Sequence, residues 1–152
     1  MKARLYTDTS VIGGCFDNEF SEISLKLIDE FKNGNKILSI SDLTLRELED
    51  APVEINKMLM QIPEKHKEYL YLNDEAKILA ERYIREKVVS SKYLLDAQHI
   101  AIATINRVDV LVSWNFKHIV NLRRIHLYNS INLKYGYPLI EIRSPREVIN
   151  EE

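Results

Sequence analysis

Three acidic side chains and one amide occur where predicted elements of this sequence begin or end. Asp8 follows a short extended run, Glu47 lies in a predicted helix, Asp96 begins another helix, and Asn115 follows an apolar run typical of a buried strand. Carboxylate and amide oxygens are hard ligands, which Mg²⁺ and Mn²⁺ prefer. A divalent cation held in this way can polarise a phosphoryl oxygen and activate a water molecule. The residue types therefore indicate metal-assisted phosphoryl chemistry, provided that the fold brings them together.

Each of these residues also has a purely structural interpretation. Asp8 is typical of a cap that accepts hydrogen bonds from the next backbone N–H groups. Glu47 borders the apolar stripe of its helix, where a stem can pack while the carboxylate reaches solvent. Asp96 is a first-turn acid of the kind that the helix dipole favours, and Asn115 suits a turn or a cap. The metal hypothesis therefore depends on the combination and not on any one residue.

The surrounding sequence alternates short apolar strands with amphipathic helices. Predicted strands cover residues 4–7, 36–41, 108–113 and 139–142, and predicted helices cover residues 22–32, 42–50, 74–87, 96–106 and 121–135, with short helical turns beginning at Pro52 and Ser144. Asp42 is the predicted cap of the second helix. This alternation is typical of a parallel sheet with helices on both faces. Sites in such folds form beyond the carboxyl ends of the strands, which is where the candidate residues lie.

Length and composition exclude several classes of protein. The 152 residues suffice for one domain with a real core, and we expect residues 1–152 to form one. The 21 Lys and Arg nearly balance the 23 Asp and Glu, which disfavours a protein that grips duplex nucleic acid over its whole surface. The single Cys15 excludes an internal disulfide. Because we find no recognisable signal peptide and no apolar run of the ~18 residues that span a bilayer, we expect a cytoplasmic protein with no membrane association.

At the candidate residues the sequence resembles a PIN domain, the fold of many bacterial and archaeal ribonucleases, including the VapC toxins of type II toxin–antitoxin systems. The matching segments are residues 6–10 (Tyr-Thr-Asp-Thr-Ser), 39–41 (Ser-Ile-Ser) with Glu47, 95–103 (Leu-Asp-Ala-Gln-His-Ile-Ala-Ile-Ala) and 111–116 (Leu-Val-Ser-Trp-Asn-Phe). They occur in the family's order and span most of the chain. The segment around Asp96 and the segment 113–118 are the most specific.

The resemblance implies an α/β fold with three layers (α/β/α) around a parallel sheet of about five strands. It also implies a hydrolase, an endoribonuclease that depends on Mg²⁺ or Mn²⁺ and acts on single-stranded RNA or RNA loops. Asp8, Glu47 and Asp96 match three acidic catalytic positions of the family and would bind the metal. The fourth catalytic position is usually Asp and is Asn115 here, which brings a carbonyl oxygen but no negative charge. We therefore expect a second metal to bind weakly and the activity to be slow or absent.

Further polar residues are candidates for supporting roles. Thr9 or Ser10 would help to hold Asp8 or a metal-bound water, and Ser113 is placed to form hydrogen bonds at the same edge. Lys117 and His118 directly follow the fourth catalytic position and are candidates for contacts with RNA phosphates, a solvated helical face being the alternative.

Two aromatic side chains near these positions have open interpretations. Trp114 is either a platform for base stacking or a buried aromatic, and His99 is either an inward polar residue or a partner of the site. An apolar region at residues 58–60 and 69–72 is mostly core, and part of it is a candidate surface for self-association or for an antitoxin. PIN domains are often dimers, so we expect a homodimer by resemblance.

The sequence leaves two further functions open. One is a catalytically weak or inactive PIN-like module that binds RNA or a protein partner, which Asn115 and the near-neutral charge favour. The other is a phosphatase or DNA nuclease that uses acids and a metal on the same scaffold.

Overall fold

A five-stranded parallel sheet lies between two layers of helices in the computed structural model, which describes residues 2–150. The strands are β1 (Arg4–Thr7), β2 (Ile37–Ser41), β3 (Lys67–Leu70), β4 (Val110–Val112) and β5 (Ile142–Arg143). The sheet order is β3-β2-β1-β4-β5. The predicted three-layer α/β/α fold with about five strands is therefore confirmed. Met1, Glu151 and Glu152 of the predicted domain lie outside the described residues.

Eight α-helices are assigned within residues 2–150. They are α1 (Thr9–Gly14), α2 (Ser21–Lys32), α3 (Asp42–Glu47), α4 (Val53–Met60), α5 (Asp74–Arg85), α6 (Leu94–Ile105), α7 (Leu122–Lys134) and α8 (Pro145–Val148). Two short 3₁₀ turns cover Glu64–His66 and Ser91–Tyr93. The sequence did not predict α1, whose six residues include two glycines, and it placed the last strand three residues too early.

The first strand occupies the centre of the sheet. Leu5 pairs with Leu38 of β2 on one side and with Val110 of β4 on the other. The chain runs outward from β1 through β2 to β3, and then returns to β4 on the opposite side of β1. The topological switch point therefore lies between β1 and β4, which is where α/β sheets open a crevice for ligands.

Apolar side chains cover both faces of the sheet, as a parallel sheet requires. One cluster lies between the sheet and α5, α6 and α7, and includes Tyr6, Tyr83 and Tyr128. The other lies against α1, α2 and α4, and includes Leu5 and Phe31. Because successive side chains of a strand point to opposite faces, Tyr6 faces the first cluster and Leu5 the second. Each fully buried side chain of this size contributes roughly 1.5–3 kcal/mol to folding.

The ends of the helices follow local sequence signals. The predicted stop after α2 is confirmed, since Gly34 has a φ of 79° there, a conformation that a side chain would strain. The predicted cap of α3 was wrong: Ser41 is the N-cap and its Oγ accepts a hydrogen bond from Thr44 N at 3.1 Å. Asp42 instead accepts a hydrogen bond from Leu72 N at 2.9 Å, which ties α3 to the segment after β3.

The apolar region at residues 58–60 and 69–72 divides between core and surface. Met58, Leu59 and Leu70 are buried, whereas Met60 and Tyr71 are 80% and 63% exposed. The core interpretation therefore applies to the buried residues, and the exposed ones remain a candidate association surface. Among the described residues, no helix combines the length and the apolar character that a membrane crossing needs.

Candidate functional site

The carboxyl ends of β1 and β4 meet at the switch point of the sheet. Asp8 directly follows β1 and Ser113 directly follows β4, and the backbone N–H of Asp8 donates to Val112 O at 3.4 Å. Parallel pairing puts these two ends at the same edge. The edge predicted to carry the site is therefore formed by these residues and by the helices that begin beyond them.

Two serines hold the carboxylate of Asp8 in one orientation. Its Oδ1 accepts hydrogen bonds from Ser10 N at 3.1 Å and from Ser10 Oγ at 2.6 Å, and its Oδ2 accepts one from Ser113 Oγ at 2.6 Å. Asp8 is only 4% exposed and is also the N-cap of α1. The capping and site interpretations of Asp8 are therefore compatible, since one set of contacts serves both.

The serines are themselves anchored by the backbone after β4. Trp114 N donates to Ser10 Oγ at 2.9 Å, and Asn115 N donates to Ser113 Oγ at 2.9 Å. Thr9 makes no contact of this kind: its buried hydroxyl has no hydrogen-bond partner of good geometry among the described residues, although it acts to lower the pKa of Glu47. Of the three predicted supporting residues, Ser10 and Ser113 therefore contact Asp8 directly and Thr9 does not.

Burial is the main influence on the charge of Asp8. It raises the pKa of the Asp8 carboxyl above its usual value, while the charge of His99 and the hydrogen bonds from Ser10, Ser113 and the Val11 backbone act in the opposite direction. A buried carboxylate of this kind gains most from a nearby cation.

Glu47 is the last residue of α3, and its carboxylate reaches His99 of α6. The Glu47 Oε1 atom lies 2.7 Å from His99 Nε2. Burial alone would raise the pKa of Glu47, but the hydrogen bond and the charge of His99 lower it overall. The Glu47 side chain is 28% exposed, so it keeps access to solvent while one of its oxygens is held.

His99 belongs to a hydrogen-bond chain that the sequence did not predict as a whole. Its Nδ1 atom lies 2.6 Å from the hydroxyl of Tyr6, and that hydroxyl lies 2.7 Å from Ser41 Oγ. His99 is 3% exposed, and Tyr6 and Ser41 are fully buried. The sequence offered His99 as a possible partner of the site, but it carried no signal that linked the residue to Tyr6.

Asp96 lies in the first turn of α6, as predicted, and is half-buried. Burial raises its pKa, and the charges of Asp8 and Glu47 raise it further. The charge of His99 and a hydrogen bond from the Asn115 side chain act against this rise. Asp8 and Glu47 are therefore close enough to Asp96 to oppose its ionisation, and a cation beside Asp96 would relieve this.

Asn115 shapes the turn that follows β4. Its Oδ1 atom accepts hydrogen bonds from Lys117 N at 3.2 Å and from His118 N at 3.0 Å, so the capping interpretation of this residue applies. The carbonyl oxygen of Asn115 is therefore engaged in this turn, and its side chain acts to lower the pKa of Asp96.

The donor set of this edge suits a hard divalent cation in its chemistry. Within residues 2–150, however, no three His, Cys, Asp or Glu side chains converge closely enough to hold a metal ion as they stand. Asp8 and Glu47 are restrained by their hydrogen bonds, so a cation site would form here only if side chains shift.

Trp114 belongs to the core. It is 6% exposed, its ring stacks on Phe20 with centroids 4.3 Å apart, and its Nε1 donates to Ser24 Oγ at 2.8 Å. A side chain at Gly14 would come within 3.1 Å of this indole, so the glycine allows α1 to pack closely. The buried-aromatic interpretation of Trp114 therefore applies, and the base-stacking one does not.

Basic side chains border the site on the side of Asn115. Lys117 is exposed, and His118 is buried with its ring tilted by 30° against that of Tyr93 at a centroid distance of 3.6 Å. The ammonium of Lys92 lies 5.7 Å from the centroid of the same tyrosine ring. Burial lowers the pKa of His118, and the charges of Lys117, Arg124 and Lys92 lower it further. Positive charge is therefore gathered around His118, three residues after Asn115.

Solved structures match most of this chain. VapBC2 from Rickettsia felis, bound to a DNA fragment from its promoter, matches with a TM-score of 0.56 and 13% identity, covering 93% of this chain and 98% of the matched chain. DNA-bound VapBC from Salmonella typhimurium matches with a TM-score of 0.56 and 18% identity, covering 94% and 98%. VapC20 from Mycobacterium tuberculosis, a toxin that cleaves the sarcin-ricin loop, matches with a TM-score of 0.58 and 9% identity, covering 75% and 92%.

These likenesses are visible in the fold and not in the sequence. No protein-family model and no curated protein sequence matches this chain significantly. At identities of 9–18% the agreement concerns the course of the backbone. The chain therefore has the PIN-domain fold, of the kind found in VapC toxins.

Proposed function

We propose that this protein is an endoribonuclease that requires Mg²⁺ or Mn²⁺ and hydrolyses phosphodiester bonds in single-stranded RNA or RNA loops. The observation that carries the proposal is the buried carboxylate of Asp8 at the switch point of the sheet, held by Ser10 and Ser113, with Asp96 close enough for Asp8 and Glu47 to oppose its ionisation. A buried carboxylate and an acid whose ionisation is opposed both destabilise the metal-free protein, and both gain from a bound cation. The likeness in fold to a toxin that cleaves the sarcin-ricin loop supports the reaction class.

The residues of the cluster have different parts in this proposal. Asp8, Glu47 and Asp96 would hold the cation, which when bound supplies positive charge beside the scissile phosphate. Ser10 and Ser113 keep both oxygens of Asp8 oriented toward the cluster. Side chains of the cluster shift to complete the site. With three charges rather than four, the cluster favours a single tightly bound ion.

The basic residues beside the cluster would position the RNA. Lys117 and Lys92, whose charges act on His118 just after Asn115, are the proposed contacts to phosphates that flank the scissile bond; His118 itself is buried with a lowered pKa, which disfavours the predicted RNA contact. Such contacts hold the backbone without reading sequence. This arrangement is consistent with a chain whose overall charge is close to neutral, because only a local patch needs to attract RNA.

We further propose that the enzyme is the toxin of a type II toxin–antitoxin pair and that a cognate antitoxin binds it. Two of the structures with this fold are VapBC assemblies bound to DNA, which supports a partner of this kind. A homodimer is the proposed state of the toxin itself. The exposed apolar side chains of Met60 and Tyr71 beside the edge strand β3 are candidates for one of these contacts. Activity on RNA implies a cytoplasmic protein.

One observation favours a second candidate function, a PIN-like module that binds RNA or a protein partner without cleaving. Asn115 stands where the family usually has its fourth acid, and its carbonyl oxygen is engaged in a backbone turn. Loss of that charge weakens the binding of any second metal ion and lowers the turnover that the site can support.

Cleavage of RNA in the presence of Mn²⁺ tests the proposal. We expect the wild type to cut single-stranded RNA with Mn²⁺ and to stop on addition of EDTA. Asp8→Asn and Asp96→Asn should lose the activity while remaining folded, and Asp50→Asn, at an exposed acid outside the cluster, should keep it. Undiminished cleavage by Asp8→Asn and Asp96→Asn would refute the proposed site. RNA binding without cleavage at any concentration of Mn²⁺ would favour the second candidate, and parallel assays on DNA and phosphate esters test the substrate class.

A further inference from the structure

A buried hydrogen-bond chain runs from α3 through β2 and β1 to α6 and ends at Glu47. It passes from Thr44 to Ser41, then to Tyr6 and His99, through contacts of 3.1, 2.7 and 2.6 Å, and the last contact to Glu47 measures 2.7 Å. The first three members are at most 1% exposed and His99 is 3% exposed. Polar groups so deep in a core cost free energy unless they are paired, and here each of them has a partner.

The donors and acceptors of this chain have a consistent direction. The Thr44 N–H donates to Ser41 Oγ, which leaves the serine hydroxyl free to donate to the oxygen of Tyr6. Nε2 of His99 lies against a carboxylate oxygen, so it carries a proton that it donates to Glu47, while Nδ1 shares a hydrogen bond with the Tyr6 hydroxyl. A neutral ring with its proton on Nδ1 would instead set a lone pair against a carboxylate oxygen at 2.7 Å.

We propose that His99 is a positioning residue that holds Glu47 for cation binding, with Tyr6 holding the imidazole ring from its other nitrogen. The inference deepens the proposed function and rests on it, because Glu47 is one of the proposed ligands. His99 holds Oε1, and Oε2 is left for the cation. Groups that orient a ligand in this way typically change metal affinity by about 10–100-fold when they are removed.

The location of Glu47 explains why it needs such a partner. It is the last residue of a six-residue helix, and the hydrogen bond from His99 is what restrains its carboxylate. A glutamate that is 28% exposed is otherwise free to turn into solvent. An apolar side chain in place of His99 would fill the same space in the core, so packing alone does not account for an imidazole that is paired at both nitrogens.

Mn²⁺ binding without RNA tests this inference, with the electron paramagnetic resonance signal of free Mn²⁺ as the readout. His99→Gln places an amide donor near the position of Nε2 and should stay within about threefold of the wild-type affinity. His99→Asn places its amide near the position of Nδ1, and it should lose about 10–100-fold, as should His99→Leu. A purely structural role for His99 would not separate the glutamine variant from the asparagine variant.

A double-mutant cycle that combines Glu47→Gln with His99→Leu shows whether His99 acts through Glu47. In the Glu47→Gln background His99→Leu should change the Mn²⁺ affinity by less than about twofold, because the residue that it positions no longer carries charge. Tyr6→Phe, which retains the ring in the core, should lower the Mn²⁺ affinity by about 3–10-fold. If the His99 variants do not fold, this variant tests the inference in their place. Unfolding in EDTA reports the fold of each variant separately.

Three outcomes would overturn the inference. Wild-type Mn²⁺ affinity in His99→Leu and in Tyr6→Phe would show that the chain does not position Glu47, while RNA cleavage would leave the proposed function intact. Equal losses in His99→Gln and His99→Asn would show that the donated hydrogen bond is not what matters. If the wild type binds no Mn²⁺, both this inference and the metal dependence of the proposed function fail together.

Discussion

Replacing Ser113 by alanine removes the group that joins Asp8 to the turn after β4. Ser113 Oγ donates to Asp8 Oδ2 at 2.6 Å and accepts from Asn115 N at 2.9 Å, and the residue is fully buried. Loss of a hydrogen bond to a charged group costs about 1.5–3 kcal/mol, and a buried donor without a partner adds about 1–3 kcal/mol. Because Asn115 is only half-buried, water can replace part of the second contribution. We therefore expect the free energy of unfolding to fall by about 2–4 kcal/mol.

Urea unfolding of the metal-free protein measures this change. Ser130→Ala is the matched control, since Ser130 is exposed and donates only to a carbonyl of its own helix. It should remain within about 0.5 kcal/mol of the wild type. The same substitution at Ser113 should cost only about 1–2 kcal/mol in an Asp8→Asn background, because the charge that the hydroxyl stabilises has gone.

Two results would refute this reasoning. A loss of less than about 0.5 kcal/mol in Ser113→Ala would mean that the hydroxyl does not support Asp8 in solution. An equal loss in the wild-type and Asp8→Asn backgrounds would mean that the contribution of Ser113 does not pass through the carboxylate.

Three further predictions concern the charges of the site. The pKa of Asp96 in the folded protein is raised above its usual 3.8, so the folded state binds this proton more tightly than the unfolded state does. The group therefore lowers the stability of the metal-free protein once the pH exceeds 3.8. In EDTA, the stability of Asp96→Asn relative to the wild type should therefore increase as the pH rises from 3.8 through the raised pKa of Asp96. Urea unfolding at several pH values measures this, and a difference that stays constant with pH would contradict it. Asn115→Asp should keep the turn and add a fourth charge, which raises Mn²⁺ affinity about tenfold and lowers metal-free stability, both measurable by titration calorimetry and urea unfolding. The double variant Lys92→Ala, Lys117→Ala should weaken RNA binding in EDTA and reduce the slope of log affinity against log salt concentration by about two, whereas Lys57→Ala should change neither. Equal slopes for the wild type and the double variant in a fluorescence titration would contradict the proposed RNA contacts.

The sequence predicted the layers and the location of the candidate site because both depend on local patterns. The apolar runs around Leu5, Leu38 and Leu111 are bounded by helices, and that alternation is enough to indicate a parallel sheet. Asp8 follows the first of these strands directly, so its position at the sheet edge follows from topology alone. The strand β3 was missed because Lys67 and Glu68 interrupt its apolar pattern, as befits an edge strand.

The contacts within the site could not be predicted, because they join residues far apart in the sequence. Glu47 is 52 positions from His99, and His99 is 93 positions from Tyr6. Neither a tyrosine in a strand nor a histidine in an apolar helix carries a local signal for such a pairing. The cap of α3 illustrates the same limit at short range, since Ser41 and Asp42 are both good caps and only the backbone geometry selects the serine.

Thermal unfolding with and without Mn²⁺, for the wild type and Asp96→Asn, tests the central claim most directly. A cation that binds only the native state stabilises it by roughly 2.7 kcal/mol at a hundred times its dissociation constant. For a chain of 152 residues this corresponds to a rise in Tm of roughly 5–11 °C. The account predicts that rise in the wild type and its loss in Asp96→Asn. The same rise in both proteins, or none in either, would contradict the claim that the acids at the switch point form a cation site.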